Sequence, residues 1–285
     1  MLHYESARLR TAATEPGEPR DGAGAVTSQP AEIDLLDVLE LETLEVNLYR
    51  ANLVLDEEHA LFGGQVAAQA LRAAGLTVDP QRRAHSLHGY FLRKGDSRLP
   101  TVFQVFRDRD GGSFSARRVV AIQRGEVIFN MSASFHIPHE SWGSQAETMP
   151  VTEFPDELPA GQLHRLVSIE ARIPAQPFSP RGPWLTRFWA RSAVKLPADP
   201  LIHDCALTYL SDIGTGIMPA DDGSARPGPS LDHALWFHGL VDMNDWVLSE
   251  YHPQVSGHGR GWYTGSVFTR DGTLIASIAQ EQLFR

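Results

Sequence analysis

The chain repeats itself. Ser86-Leu87-His88 and Ser230-Leu231-Asp232 stand 144 residues apart, and two hairpin glycines, Gly125 and Gly272, stand 147 apart. Each half runs a helix and then an antiparallel meander, with a few residues of insertion or deletion between the copies. A strand-rich unit with one long, wide-faced apolar helix predicts a sheet wrapped around that helix. Two such units in one chain would pair their sheets and hide edge strands.

The local patterns fill in this plan. Leu35, Leu36, Leu39 and Leu41 suggest a short amphipathic helix, and Leu44, Val46 and Leu48 a half-buried strand of period two. Val66 to Gly75 reads as a helix entered through Gly63-Gly64 and stopped at Gly75, with alanines that let it press closely on a sheet. Strands are expected at His85–Leu92, Thr101–Arg107, Phe114–Gln123 and Val127–His136, the last two joined by Arg124-Gly125-Glu126. The second half predicts a strand at Leu185–Ala193 and a helix from Asp199 to Gly214. Strands follow at Ser230–Phe237, Gly261–Phe268 and Thr273–Phe284, the last two joined by Arg270-Asp271-Gly272.

Between the halves, eight prolines from Pro138 to Pro183 break the chain into short apolar runs. The expected organisation is a disordered tail over 1–31, or a start-site artefact, then a first unit over 32–137. A Pro-rich linker follows over 138–183, then a second unit over 184–285.

Composition narrows the function. With Lys+Arg 25 against Asp+Glu 35 the formal charge is -10, which disfavours a nucleic-acid partner. The only lysines are Lys94 and Lys195, so a Schiff-base or phosphate-loop lysine has almost no candidates. One cysteine, Cys205, excludes an intramolecular disulfide framework and fits a reducing compartment. No apolar stretch approaches the ~18–20 residues of a membrane span. The N-terminus lacks a signal-peptide layout, and Gln282-Leu283-Phe284-Arg285 is not a peroxisomal address, so a cytoplasmic location is expected.

Seven strings in order carry a family resemblance. They are Phe62-Gly63-Gly64-Gln65, His85 through Arg93, Ser113 through Val119, Ser132-Ala133-Ser134-Phe135, Tyr209-Leu210-Ser211-Asp212, Leu231 through His238, and Asp271-Gly272 through Gln280-Glu281. Over residues 33–285 the chain resembles the acyl-CoA thioesterase II family. The resemblance implies an α+β double hotdog, two helix-in-sheet units fused in one chain. It also implies hydrolysis of acyl-CoA to free acid and CoA without a metal or organic cofactor, and a homo-oligomer, dimer or tetramer.

Thioester hydrolysis needs an aimed water, a proton acceptor and donors for the developing oxyanion. No Gly-x-Ser-x-Gly nucleophile elbow occurs in the chain. The resemblance instead implies direct water attack using Asp212, Ser230 and Gln280. Asp212 extends the helical stripe Leu201, Cys205, Thr208 at the helix end where the macrodipole disfavours negative charge. It is either the general base or an exposed residue capping the Gly214 turn. Ser230 stands where the family usually has threonine, and keeps the hydroxyl without the methyl that stiffens it. Gln280 falls on the strand face of Leu274, Ala276 and Ile278, which should be buried, so its amide must be paired or bear on the site. Gly63 and Gly64 could offer backbone N–H groups to an oxyanion, or serve packing alone. All three polar residues belong to the second half, which predicts one site per chain.

Arg107, Arg109, Arg117, Arg118 and Arg124 suit CoA phosphates or a solvated strand face. The histidine pairs His85/His88, His233/His238 and His252/His258 lack a metal-binding layout. Asp232 and His233 are strand neighbours and should point to opposite faces. Two rivals remain: a hotdog acyl-CoA hydratase or dehydratase, which needs a histidine near Asp212 that no motif supplies, and a non-catalytic acyl-CoA-binding protein.

Overall fold

A computed structural model describes residues 33–53, 60–139, 143–163, 165–178, 185–213 and 227–284. The expected tail over 1–31, the helix end at Gly214 and the prolines at 180 and 183 lie outside these residues. A short helix α1, Leu35–Leu39, opens the described chain. Asp34 and Asp37 form its capping box, each side chain accepting from the other's backbone N–H. Strands β1 (Glu42–Glu45) and β2 (Leu48–Ala51) follow, then helix α2 (Gly63–Gly75). Next come β3 (Arg83–Phe91), β4 (Thr101–Asp110), β5 (Phe114–Gln123) and β6 (Glu126–His136).

After a single 3-10 turn at Pro155–Glu157 come β7 (Ala160–Gly161), β8 (Ile169–Arg172) and β9 (Arg187–Ser192), then helix α3 (Pro200–Ser211). The chain ends in β10 (Pro227–Ser230), β11 (Asp232–Phe237), β12 (Val247–Gly257), β13 (Arg260–Thr269) and β14 (Leu274–Phe284).

The main strands form one sheet in the order β1-β2-β4-β5-β6-β3-β11-β14-β13-β12-β9-β8-β7, with β10 alongside β14. The order mirrors itself about the β3–β11 seam, six strands on one side matching six on the other with β7 added at the far edge; at the seam Gly89 faces His233 and Leu87 faces Leu235. This is the double hotdog that the resemblance implies, with the paired sheets expected from the duplication: two meanders, each with its helix, sharing one continuous sheet. The seam satisfies the backbone groups that each unit alone would leave at an open edge.

The two helices pack on each other inside the sheet and run antiparallel. A Cβ on Gly64 would meet the Tyr209 carbonyl at 2.4 Å, and one on Gly75 would meet the Leu201 side chain at 2.4 Å. The alanines of α2 explain the approach, since Ala67, Ala68, Ala70, Ala73 and Ala74 are fully buried and leave no bulk to hold α3 away.

Three local readings need correction. The Leu44–Leu48 alternation is not one strand: Asn47 turns the chain at φ 62 between β1 and β2, leaving Val46 72% exposed. Strand β12 was not anticipated because Pro253 interrupts its pattern. It pairs with β9 only through Val247–Glu250, so the proline falls beyond that ladder, where its side toward β9 needs no N–H. Ser230–Phe237 is two strands broken at Leu231. The 138–183 stretch carries β7 and β8, which extend the sheet past β9, and it covers the outer face of the second unit. There Trp189 Nε1 donates to the Glu153 carbonyl at 2.9 Å, and the Ser266 hydroxyl donates to Glu147 at 2.6 Å.

Candidate active site

Helix α3 begins at Asp199, whose side chain caps Leu201 N–H, with Pro200 at the first helical position. Twelve residues on, Asp212 is its C-cap, with φ -90 and ψ 40. Being only 5% exposed, Asp212 is not a solvated end residue. The antiparallel packing places the start of α2 beside it: a Cβ built on Gly63 would lie 2.3 Å from Asp212 Oδ2. The unfavourable end of one helix dipole is thus set against the favourable end of another. The first turn of α2 has no side-chain cap.

The three residues expected from sequence meet here. The Ser230 hydroxyl donates to Asp212 Oδ1 at 2.9 Å. The Gln280 amide donates to the same oxygen at 2.5 Å and to Ser230 Oγ at 2.6 Å. Gln280 is wholly buried on the face it shares with Ala276 and Ile278, as alternation along β14 requires. Among the described residues no donor reaches Asp212 Oδ2.

A fourth residue was missed. His233 is fully buried on β11, with Nδ1 2.5 Å from Gln280 Oε1 and Nε2 2.7 Å from Ser211 Oγ. Gln280 Oε1 can only accept, so the imidazole carries a proton on Nδ1, while the Ser211 hydroxyl beside Nε2 also donates to the Thr208 carbonyl at 2.8 Å. The Nδ1 bond fixes the amide orientation and turns Gln280 Nε2 toward Asp212. The signal was present in the alternation of β11: Asp232 points out, 3.1 Å from His88, and its neighbour must point in. Both ring nitrogens of His233 are occupied within the protein.

Burial pushes the Asp212 carboxyl above its ordinary range, opposed by the nearby His233, the Gln280 and Ser230 hydrogen bonds and Arg165. Burial also pushes His233 down, opposed by Asp212 and by the Gln280 hydrogen bond. Arg165 reaches the same corner, donating to the Ala60 carbonyl and lying 5.6 Å over the Phe62 ring. Tyr263, the ladder partner of Gln280, has a buried hydroxyl with no partner among the described residues.

The remaining candidates fall elsewhere. Arg117 is a core residue, bonded to Thr77, to the carbonyl of Arg109 and to Asp110. Arg107 donates to Asn47, Arg118 pairs with Asp108 and Arg124 with Asp96. A side chain on Gly64 would run into the Tyr209 carbonyl, whereas Gly63 adjoins the carboxylate; both glycines open α2. No three His, Cys, Asp or Glu side chains cluster to hold a metal among the described residues. No helix among them is long and apolar enough to cross a membrane.

Two family models match the chain: the acyl-CoA thioesterase N-terminal domain over residues 55–136 and the C-terminal domain over 145–284. Human acyl-coenzyme A thioesterase 8 is 33% identical, covering 95% of this chain and 97% of its own length. Acyl-CoA thioesterase 2 of Haemophilus influenzae is 32% identical, covering 88% and 97%. Among solved structures, the acyl-CoA thioesterase II TesB2 of Mycobacterium marinum is 41% identical with a TM-score of 0.74, covering 88% of this chain and 96% of that one.

Proposed function

As the chain belongs to the acyl-CoA thioesterase II family, it is an acyl-CoA thioester hydrolase, and we propose that it cleaves its substrate with a water activated by Asp212. Asp212 takes a proton from the water as the water attacks the thioester carbonyl. Ser230 and Gln280 hold the carboxylate through Oδ1, leaving Oδ2 to work beside Gly63. The backbone N–H groups at the start of α2, from Gly63 and Gly64, receive the developing oxyanion. Collapse of the tetrahedral intermediate expels the CoA thiolate, which takes up a proton, and leaves the free acid.

The observation that carries this reading is the division of labour on one carboxylate. Both donors converge on Oδ1 while Oδ2 lies against the uncapped start of a helix. A carboxyl raised by burial is also a stronger base than a solvated one. The hydratase alternative needs an imidazole nitrogen open to substrate, and both nitrogens of His233 are already bonded.

The finer assignments belong to the same reading. The units over 32–137 and 184–285 act as one body, the first supplying Gly63 and Gly64 and the second the reacting side chains. The buried Cys205 thiol supports a reducing, cytoplasmic setting. Half-exposed Tyr90 and Trp236 on the outer face near the seam support assembly into a dimer or tetramer, which light scattering would read directly.

Free CoA thiol is followed with a thiol reagent across short to long acyl-CoAs, without added metal. Release on at least one chain length is expected. Hydration of crotonyl-CoA without thiol release would replace hydrolysis by the hydratase reading, and saturable CoA binding without release on any chain would leave a binding protein.

A further inference from the structure

The pseudo-twofold at the β3–β11 seam carries the Asp212 corner onto a second corner, between the end of α2 and the start of α3. There Gly75 meets Leu201 much as Gly64 meets Tyr209. Of the three hydrolytic side chains only the serine is repeated, Ser86 standing 144 residues before Ser230. His233 corresponds to its own ladder partner Gly89, and Gln280 corresponds to Met131, which pairs with Gly89 on β6. The corner nonetheless keeps a cavity of about 230 Å³. That exceeds the ~150 Å³ able to hold benzene.

The lining combines Leu76, Val78, Phe135 and Leu201 with charged side chains from α2, the turn after it, β3 and α3. Arg82 is tied to the Gly111 carbonyl at 2.6 Å through Nη2, but its Nη1 is buried without a partner, and so is Arg83 Nε. Asp204, 3% exposed, also lines the cavity, and its carboxyl accepts no hydrogen bond among the described residues. Arg82 and Arg83 both line the cavity, and the Arg83 guanidinium makes no hydrogen bond among the described residues, so an anionic oxygen there would meet an unpaired cation.

We propose that this second corner is a non-catalytic binding site for a short aliphatic carboxylate, its anionic end held by Arg82 and Arg83 and its chain lying against Val78, Phe135 and Leu201. The un-ionised Asp204 carboxyl adds an O–H donor to the ligand. Burial supports that protonation state, pushing Asp204 up to about 7. Arg83 on β3 opposes this and Asp199 on its own helix adds to it. Arg72 from α2, paired with Asp199, and Asp79 and Arg82 from the turn complete the charged wall. A phosphate would ask for more donors than the site offers and would leave the apolar wall unused.

The test is calorimetric titration of the full chain with sodium hexanoate at pH 6.5, with CoA release assayed on the same samples. Saturable binding is expected, weakened about tenfold or more in Arg83→Gln with the rate of CoA release unchanged. Leu76→Trp fills the cavity from a half-exposed position without touching a charge, and should weaken hexanoate to the same degree. It decides the matter should Arg83→Gln fail to fold. Absence of saturable binding, or affinity unchanged in Leu76→Trp, overturns the site. Inorganic phosphate binding as tightly as hexanoate overturns the ligand class. Because CoA release is read separately, failure here and failure of the hydrolytic mechanism cannot be confused.

Discussion

Gly63 leaves no room for a side chain beside Asp212. A Cβ there would lie 2.3 Å from Oδ2 and 2.9 Å from the Phe91 ring. The glycine therefore joins the start of α2 to the carboxylate at the end of α3, and so joins the two units of the chain. Its neighbour Gly64 has a different constraint, the backbone carbonyl of Tyr209.

These two glycines predict opposite phenotypes. Gly63→Ala should displace the Asp212 carboxylate and lower kcat by about tenfold or more with a small change in melting temperature. Gly64→Ala should press on backbone that cannot rotate away, costing about 1–3 kcal/mol of stability. Thermal melts and CoA-release kinetics on the pair check this; a normal kcat in Gly63→Ala would remove Oδ2 from the chemistry.

Activity should fall in acid because the base works ionised. Burial raises the Asp212 carboxyl, so the acid limb of kcat should lie above the ordinary carboxylate range. The Ser230 hydrogen bond lowers it, so Ser230→Ala should move that limb to still higher pH. A pH–rate profile of both proteins reads the shift, and movement toward lower pH would contradict the role given to Ser230.

Threonine should replace Ser230 without loss. The hydroxyl keeps its bond to Asp212, and the added methyl restricts χ1. Ser230→Thr is expected to show kcat equal to or above that of the natural chain. A collapse in rate would mean that the serine does something a threonine cannot.

Asp204 predicts a stability effect separable from catalysis. Its folded-state value of about 7 lies above the ordinary 3.8, so its stabilising contribution is complete below about pH 4 and is lost as pH rises to about 7. Asp204→Asn stays neutral throughout. The variant should match the natural chain near pH 4 and exceed it by on the order of 2–4 kcal/mol at pH 8. Denaturant unfolding at both values checks this, and a variant less stable at pH 8 would contradict it.

Much of this arrangement was legible in the sequence, and the misses have physical causes. The duplication gave the mirrored sheet because two similar helix-and-meander units have matching edges to pair. Pushed further, it would have supplied β12. Phe114 and Arg260, which open β5 and β13, stand 146 residues apart, and the same offset from Thr101, which opens β4, lands on Val247. The false strand at Leu44–Leu48 arose because alternation of apolar residues does not distinguish a strand from two strand ends across a turn; Asn47, tolerant of positive φ, was the mark of the turn. Asp212, Ser230 and Gln280 were found through family strings. His233 was passed over because a buried histidine shows its role only through its partners, here Ser211 and Gln280, which are distant along the chain.

The most direct test of the account is the Asp212→Asn protein, kept isosteric so that Ser230 and Gln280 retain a partner. Its CoA release should be followed beside the natural chain on the best acyl-CoA. The account predicts a kcat lower by at least about 100-fold with KM little changed and the fold intact by melting. Retention of most of the activity in that folded variant would contradict it and place the proton acceptor elsewhere.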